Sequence, residues 1–160
     1  MEELAAYDEA KKGAQILYQS IGRLSCPALN REIHFTSEGF NHIIYAKGGI
    51  ERDKSSQMLR FNLLPLAVQL VKQAATYQEY EQTVKEFEAK GKKKKKTRQV
   101  KPVRYWGLIG IIEGRKIRVI IKQIGNNGTL KFWSVIPAWA AHEYGRLRFF
   151  STMKGNPEED

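Results

Sequence analysis

The sequence has a single cysteine, Cys26, in 160 residues. That excludes an internal disulfide framework and any cysteine-rich zinc site, and it suits a reducing compartment. Long apolar runs are missing as well. None approaches the roughly 20 residues a membrane-spanning helix requires. The opening, Met1-Glu-Glu-Leu-Ala-Ala-Tyr-Asp-Glu, is acidic and has no apolar signal core. The expectation is a cytoplasmic protein with no membrane partner. There is no phosphate-cradling glycine loop and no serine-nucleophile elbow. Histidine is scarce, at His34, His42 and His142. Their spacing matches no familiar zinc pattern, so neither metal nor cofactor is expected.

Acidic residues are absent from positions 90–104, where nine Lys and Arg side chains are concentrated. The net charge of the whole chain is +10, so the remainder carries only about +1. The positive charge is therefore local. Lys92, Lys93, Lys94, Lys95 and Lys96 form an uninterrupted run. A run of like charges repels itself and buries nothing, so it reads as a solvated arm. Beside a basic, aromatic sheet, such an arm suits a polyanion, and RNA is the partner expected.

The length suits one domain with a substantial core. Residues 2–24 read as an amphipathic helix, in a segment spanning 1–30. Ile33-His34-Phe35 reads as a short strand. Thr36 or Ser37 then caps a short helix that turns Phe40, Ile43 and Ile44 inward. Arg52 and Asp53 precede a longer helix with Leu59, Leu63, Leu66 and Leu70 on one stripe. Pro65, inside that stripe, is expected to kink it or open its second half. Thr76-Tyr-Gln-Glu79 has the form of a capping box, which predicts a further helix through Phe87, supported by the Glu81–Lys85 pair. The lysine-rich stretch 90–102 reads as a linker. Beyond it, 103–112, 116–124 and 129–136 alternate and are rich in Ile and Val, with turns at Glu113-Gly114 and Gly125-Asn-Asn-Gly128. The fold class is α+β: N-terminal helices packed on one face of a C-terminal antiparallel β-meander of three to four strands, a single domain over 31–150. Residues 137–144 leave the sheet, and 151–160 form a tail that looks frayed.

Parity sorts the meander into two faces. One carries Trp106, Leu108, Ile112, Ile117, Val119, Ile121, Phe132 and Ile136, and belongs under the helices. The other carries Tyr105, Arg118, Lys122, Lys131, Trp133 and Val135. With two-residue loops, Tyr105, Lys122 and Trp133 form a row across three strands. Aromatic rings stack on unpaired bases and cations meet phosphates, so Tyr105, Arg118, Lys131 and Trp133, with Lys92–Lys96, are the expected nucleic-acid contacts. The same residue types also suit the wet face of any sheet.

His34 and His42 flank the short capped turn, where both rings can reach one cleft. RNA cleavage without metal needs a base for the 2′-hydroxyl, an acid for the leaving oxygen and cations on the phosphate. His34, His42, Arg52, Arg60, Arg118 and Lys122 are the candidates.

The order of elements resembles the barnase–EndoU–colicin–RelE-like ribonuclease superfamily, in its phage- and toxin-associated branches. The resemblance lies in a short histidine-bearing segment, His34-Phe-Thr-Ser-Glu-Gly-Phe-Asn-His42-Ile, then helices over 52–88, then a meander over 103–139. It implies catalytic roles for His34, His42, Arg52 and Lys122. Ser134 matches by position but falls on the helix-facing side by parity. The resemblance further implies a toxin-like endoribonuclease held by an antitoxin or immunity protein. The alternatives are a non-catalytic nucleic-acid-binding domain and a structural or adaptor protein.

Overall fold

The computed structural model describes residues 2–90, 96–138 and 156–160. In these, helix α1 (Glu2–Ile21) is followed by strands β1 (Arg23–Cys26) and β2 (Arg31–His34). Helices α2 (Ser37–Ile44) and α3 (Lys54–Gln73) come next, then β3 (Glu79–Lys90), β4 (Lys96–Ile112), β5 (Arg115–Ile124) and β6 (Lys131–Pro137). The fold is α+β, but the sheet has six strands in the order β1-β2-β6-β5-β4-β3. All pairings are antiparallel except β2 with β6.

Of the strands outside the meander, β2 contains part of the short strand expected at Ile33-His34-Phe35, whereas β1 begins inside the segment read as the end of the first helix. Gly22, at φ 65°, stops α1 at Ile21, and the chain turns at once into β1. The third is β3, predicted as a helix. Its Glu and Lys residues favour helix weakly, but pairing with β4 from Glu79↔Gly107 to Lys90↔Lys96 outweighs that preference. Burial then follows a period of two: Glu81, Thr83, Lys85 and Phe87 are half-buried, and Gln82, Val84, Glu86 and Glu88 exposed. Residues 96–102, expected in a linker, belong to β4.

Helix α3 starts where Asp53 accepts a hydrogen bond from the Ser56 amide at 2.7 Å, and it runs through Pro65 without ending. Its buried side chains meet Leu108, Ile117, Val119, Ile121 and Phe132 of the sheet, with Tyr7, Ala14 and Tyr18 of α1 in the same core. The N-terminal helix is thus part of this core. A smaller apolar cluster, Val103, Tyr105 and Ile120, lies on the opposite face with Trp133 against it.

Three features position the site. First, β2 meets β6 at one register position, His34↔Lys131. Helix α2 packs against β6, and Gly39 permits the approach, since a Cβ there would lie 2.4 Å from the Phe132 carbonyl oxygen. Second, the β4–β5 register places Tyr105 opposite Lys122 and Ile109 opposite Arg118. Third, β6 carries a bulge. Ile121 pairs with Phe132 but Ile120 pairs with Ser134, so Trp133 is an extra residue. Downstream parity is therefore reversed. Ser134 and Ile136, expected under the helices, lie across from Ile120 and Arg118, whereas Val135 joins the core. Lys122 pairs with Lys131 and not with Trp133, so the row across the three strands is Tyr105, Lys122 and Lys131.

Candidate functional site

A cleft of about 370 Å³ lies where α2 and the α2–α3 connection meet the Lys122–Trp133 side of the sheet, lined by His42, Lys122, Trp133, Glu158 and residues of that connection. α2 places Phe40, Ile43 and Ile44 in or against the core and leaves His42 on the cleft side. The His42 ring stacks on the bulged Trp133, with centroids 4.2 Å apart and planes at 19°. Lys122 Nζ stands 3.9 Å from the Trp133 centroid. The expected grouping of Tyr105, Lys122 and Trp133 on one face is observed.

Cations surround this stack. Arg52 Nε donates to the His42 carbonyl oxygen at 3.0 Å, and its NH2 lies 3.2 Å from His42 Nε2. Arg60, buried on α3, donates to Ser134 Oγ at 2.8 Å. The bulge is what makes that contact, because it turns Ser134 to this side. Arg118 Nε donates to Glu79 Oε1 at 2.7 Å. Gly107 lies opposite Glu79, and a Cβ there would fall 2.3 Å from Glu79 Oε1. Lys85 Nζ reaches Tyr105 Oη at 3.2 Å.

The anions that meet these cations come from residues 156–160, in the segment expected to fray. Glu158 Oε1 accepts from Lys85 and Lys122, each at 2.7 Å, and from Tyr105 Oη. Arg60 and the Ser134 hydroxyl donate to the Asp160 main-chain oxygen, and Arg118 NH1 lies 3.4 Å from Asp160 Oδ2. Arg52 NH2 donates to the Glu159 carbonyl at 2.6 Å, and Trp133 Nε1 to that of Pro157 at 2.8 Å. Sequence reading missed this contact because a short acidic stretch with Pro looks like solvent-exposed chain. Only its complementarity to the basic face was a signal.

The crowding of charge shows in the ionisation. Burial, then Arg52 and Arg60, lower His42 to about 3, with Glu158 opposing. The imidazole is neutral at neutral pH. Burial, then Arg52, brings Arg60 down to about 10, still charged. Burial also lowers Lys122, against Glu158. Burial works to raise Glu158, but hydrogen bonds from Lys122, Lys85 and Tyr105 outweigh it and hold the carboxyl at about 2.

The structure thus brings together His42, Arg52, Tyr105, Arg118, Lys122 and Trp133 from the sequence prediction. Arg60, also among the candidates, and Ser134, matched by position but expected under the helices, stand at the centre, and Lys85 and Glu79 are added from the strand read as a helix. His34 does not join His42. It shares the face through the row Tyr105–Lys122–Lys131–His34, two strands from Lys122 and so about 10 Å away along the sheet. Lys131 pairs with Glu38 at 3.0 Å on the rim. Lys92, Lys93, Lys94 and Lys95 lie outside the described residues, as do the side chain of Lys96 and His142. Among the described residues no group of His, Cys, Asp and Glu is arranged to hold a metal ion, and no helix is long and apolar enough to cross a membrane. In comparisons with known proteins, no family model, no curated protein and no solved structure matches the chain.

Proposed function

We propose that the chain is a metal-independent endoribonuclease whose cleft holds one RNA phosphate among buried cations and one base on Trp133. The observation that carries this reading is the convergence of Arg60, Arg118, Lys122 and the Ser134 hydroxyl on oxygens of residues 156–160, beside the His42–Trp133 stack. A phosphodiester offers the same cations a negative charge and several acceptor oxygens. Guanidinium groups match that geometry with paired donors. An unpaired base supplies a flat partner for the indole.

In this reading the 2′-oxygen attacks the adjacent phosphorus while the bond to the 5′-oxygen breaks. The products are a 2′,3′-cyclic phosphate and a 5′-hydroxyl. Arg60, Arg118 and Arg52 balance the charge that builds on the phosphorane, in a site where burial strengthens each interaction. Lys122, made more acidic by burial, gives its proton to the leaving 5′-oxygen. The neutral His42 imidazole takes the proton of the 2′-hydroxyl once the phosphate draws Arg52 away from Nε2. His34, two strands off, binds the flanking strand. The partners proposed from the resemblance, an antitoxin or immunity protein, would have to cover this cleft.

One observation favours a second reading, an RNA-binding domain that does not cleave. His42 at about 3 is a weak base, and Arg52 faces its Nε2. The test is incubation of total RNA with the protein in EDTA, followed by end mapping. It is run on wild type and on Glu158→Gln/Asp160→Asn, which weakens the anions on the cations. Fragments with cyclic phosphate and 5′-hydroxyl ends, lost in Lys122→Ala, support cleavage. Intact RNA that stays bound supports the second reading.

A further inference from the structure

We infer that the cleft is a binding site for an acidic peptide, and that residues 156–160 of the chain are its own ligand, which a polyanion must displace. The inference deepens the ribonuclease proposal and, where it concerns RNA, rests on it.

The contact has the features of specific recognition rather than of chain collapse. Residues 156–160 form a turn closed by their own hydrogen bonds where they meet the sheet. The Glu159 and Asp160 amides both donate to the Asn156 carbonyl at 2.9 Å, and the Glu158 amide donates to Asn156 Oδ1 at 3.1 Å. The turn buries Pro157, half-buries Glu158 and Asp160, and leaves Glu159 exposed. Two carboxylates thus point inward at alternate positions, each onto its own set of donors. Main-chain oxygens are read too, by Trp133 Nε1, Arg52, Arg60 and Ser134. Charge-assisted hydrogen bonds of this kind are about twice as strong as neutral ones.

The same donors are those a phosphodiester would use. Lys122 cannot neutralise Glu158 and a phosphate in one place, and the Trp133 ring edge cannot hold Pro157 while a nucleotide passes over it. Docking and RNA binding are therefore mutually exclusive. The balance of charge also favours displacement. Glu158, Glu159 and Asp160, with Glu79, set four carboxylates against Arg52, Arg60, Arg118, Lys85 and Lys122, five cations. The site stays net positive with the segment in place, so a ligand of higher charge still gains by replacing it.

The experiment uses the full chain, as wild type, as Glu158→Gln/Asp160→Asn, and as Glu2→Gln/Glu3→Gln. The last is a charge control on the exposed first turn of α1. Two probes are followed by fluorescence anisotropy: a labelled single-stranded RNA oligonucleotide and a labelled Asn-Pro-Glu-Glu-Asp peptide. The Trp133 indole N–H resonance reports whether Pro157 is still bound. The expected result is RNA binding tightened about tenfold or more in Glu158→Gln/Asp160→Asn, with the control close to wild type. The peptide should bind that variant and be displaced by RNA, and RNA should shift the indole resonance of wild type. Equal RNA affinity in all three proteins would overturn the inference, and so would equal tightening in the charge control. If the peptide binds the variant but no protein binds RNA, the acidic-peptide site stands and the ribonuclease reading fails.

Discussion

Arg118 and Glu79 form an ion pair at 2.7 Å with side chains 8% and 0% exposed, the most deeply buried such pair in the described residues. The far end of the same guanidinium faces Asp160, so the pair also anchors residues 156–160. Removing one partner strands the other charge out of water. Glu79→Ala should cost ~3–5 kcal/mol of stability, read as a lowered urea midpoint. Gly107→Ala should push Glu79 off Arg118 and cost ~1–3 kcal/mol through overpacking.

Catalysis, if the proposal holds, depends on the buried cations unequally. Lys122→Ala should slow cleavage ~10²–10⁴-fold through loss of the proton donor. Arg60→Ala should slow it ~10²–10³-fold, by analogy with a lost oxyanion donor. Trp133→Ala should instead raise KM with little change in kcat, a loss of ~1–3 kcal/mol in binding. Single-turnover kinetics on a short RNA separate these effects.

The lysine run makes a different demand. Replacing Lys92–Lys96 with serine should flatten the log–log salt dependence of RNA binding by up to ~3 units, at about 0.7 per phosphate contact. An unchanged slope would mean the run does not touch RNA.

Acid should weaken the fold through His42. Its pKa is about 3 in the folded chain against 6.5 for the free side chain. The folded state therefore binds fewer protons than the unfolded one over that interval. The contribution is complete above about pH 6.5 and is lost as pH falls toward 3. Arg52, Arg60 and Lys122 reinforce the effect and Glu158 opposes it. Glu158, near 2 against 4.5, acts in the same direction but in a lower window. Urea unfolding at pH 7 and 5.5 should differ by on the order of 1 kcal/mol, and His42→Gln should remove that difference.

The sequence made the central strands legible because alternation and the Glu113-Gly114 turn left little choice of register, and Tyr105, Lys122 and Trp133 fell on one face as expected. Strand β3 was hidden because Glu, Gln and Lys favour helix locally. Only its long partner β4, distant in sequence, makes it a strand. Ser134 was misplaced because no residue type announces a bulge, and one extra residue reverses every later position. Arg60 was legible as a candidate cation on the long helix, but its contact with Ser134 was not. Its role appears only when α3 is laid beneath β6. His34 sits on β2, two strands from Lys122, and does not line the cleft that His42 lines from α2, because the chain turns from strand to helix between them.

The bulge has a consequence for how this surface can change over generations. Trp133 is supernumerary to the ladder: Phe132 and Ser134 already face Ile121 and Ile120, which are themselves adjacent. Removing the tryptophan codon altogether would let the strands close in step, with Phe132 and Val135 still inward and Ser134 still outward. The indole that stacks on His42 is therefore gained or lost by a single in-frame insertion or deletion, without substituting any residue on which the sheet depends.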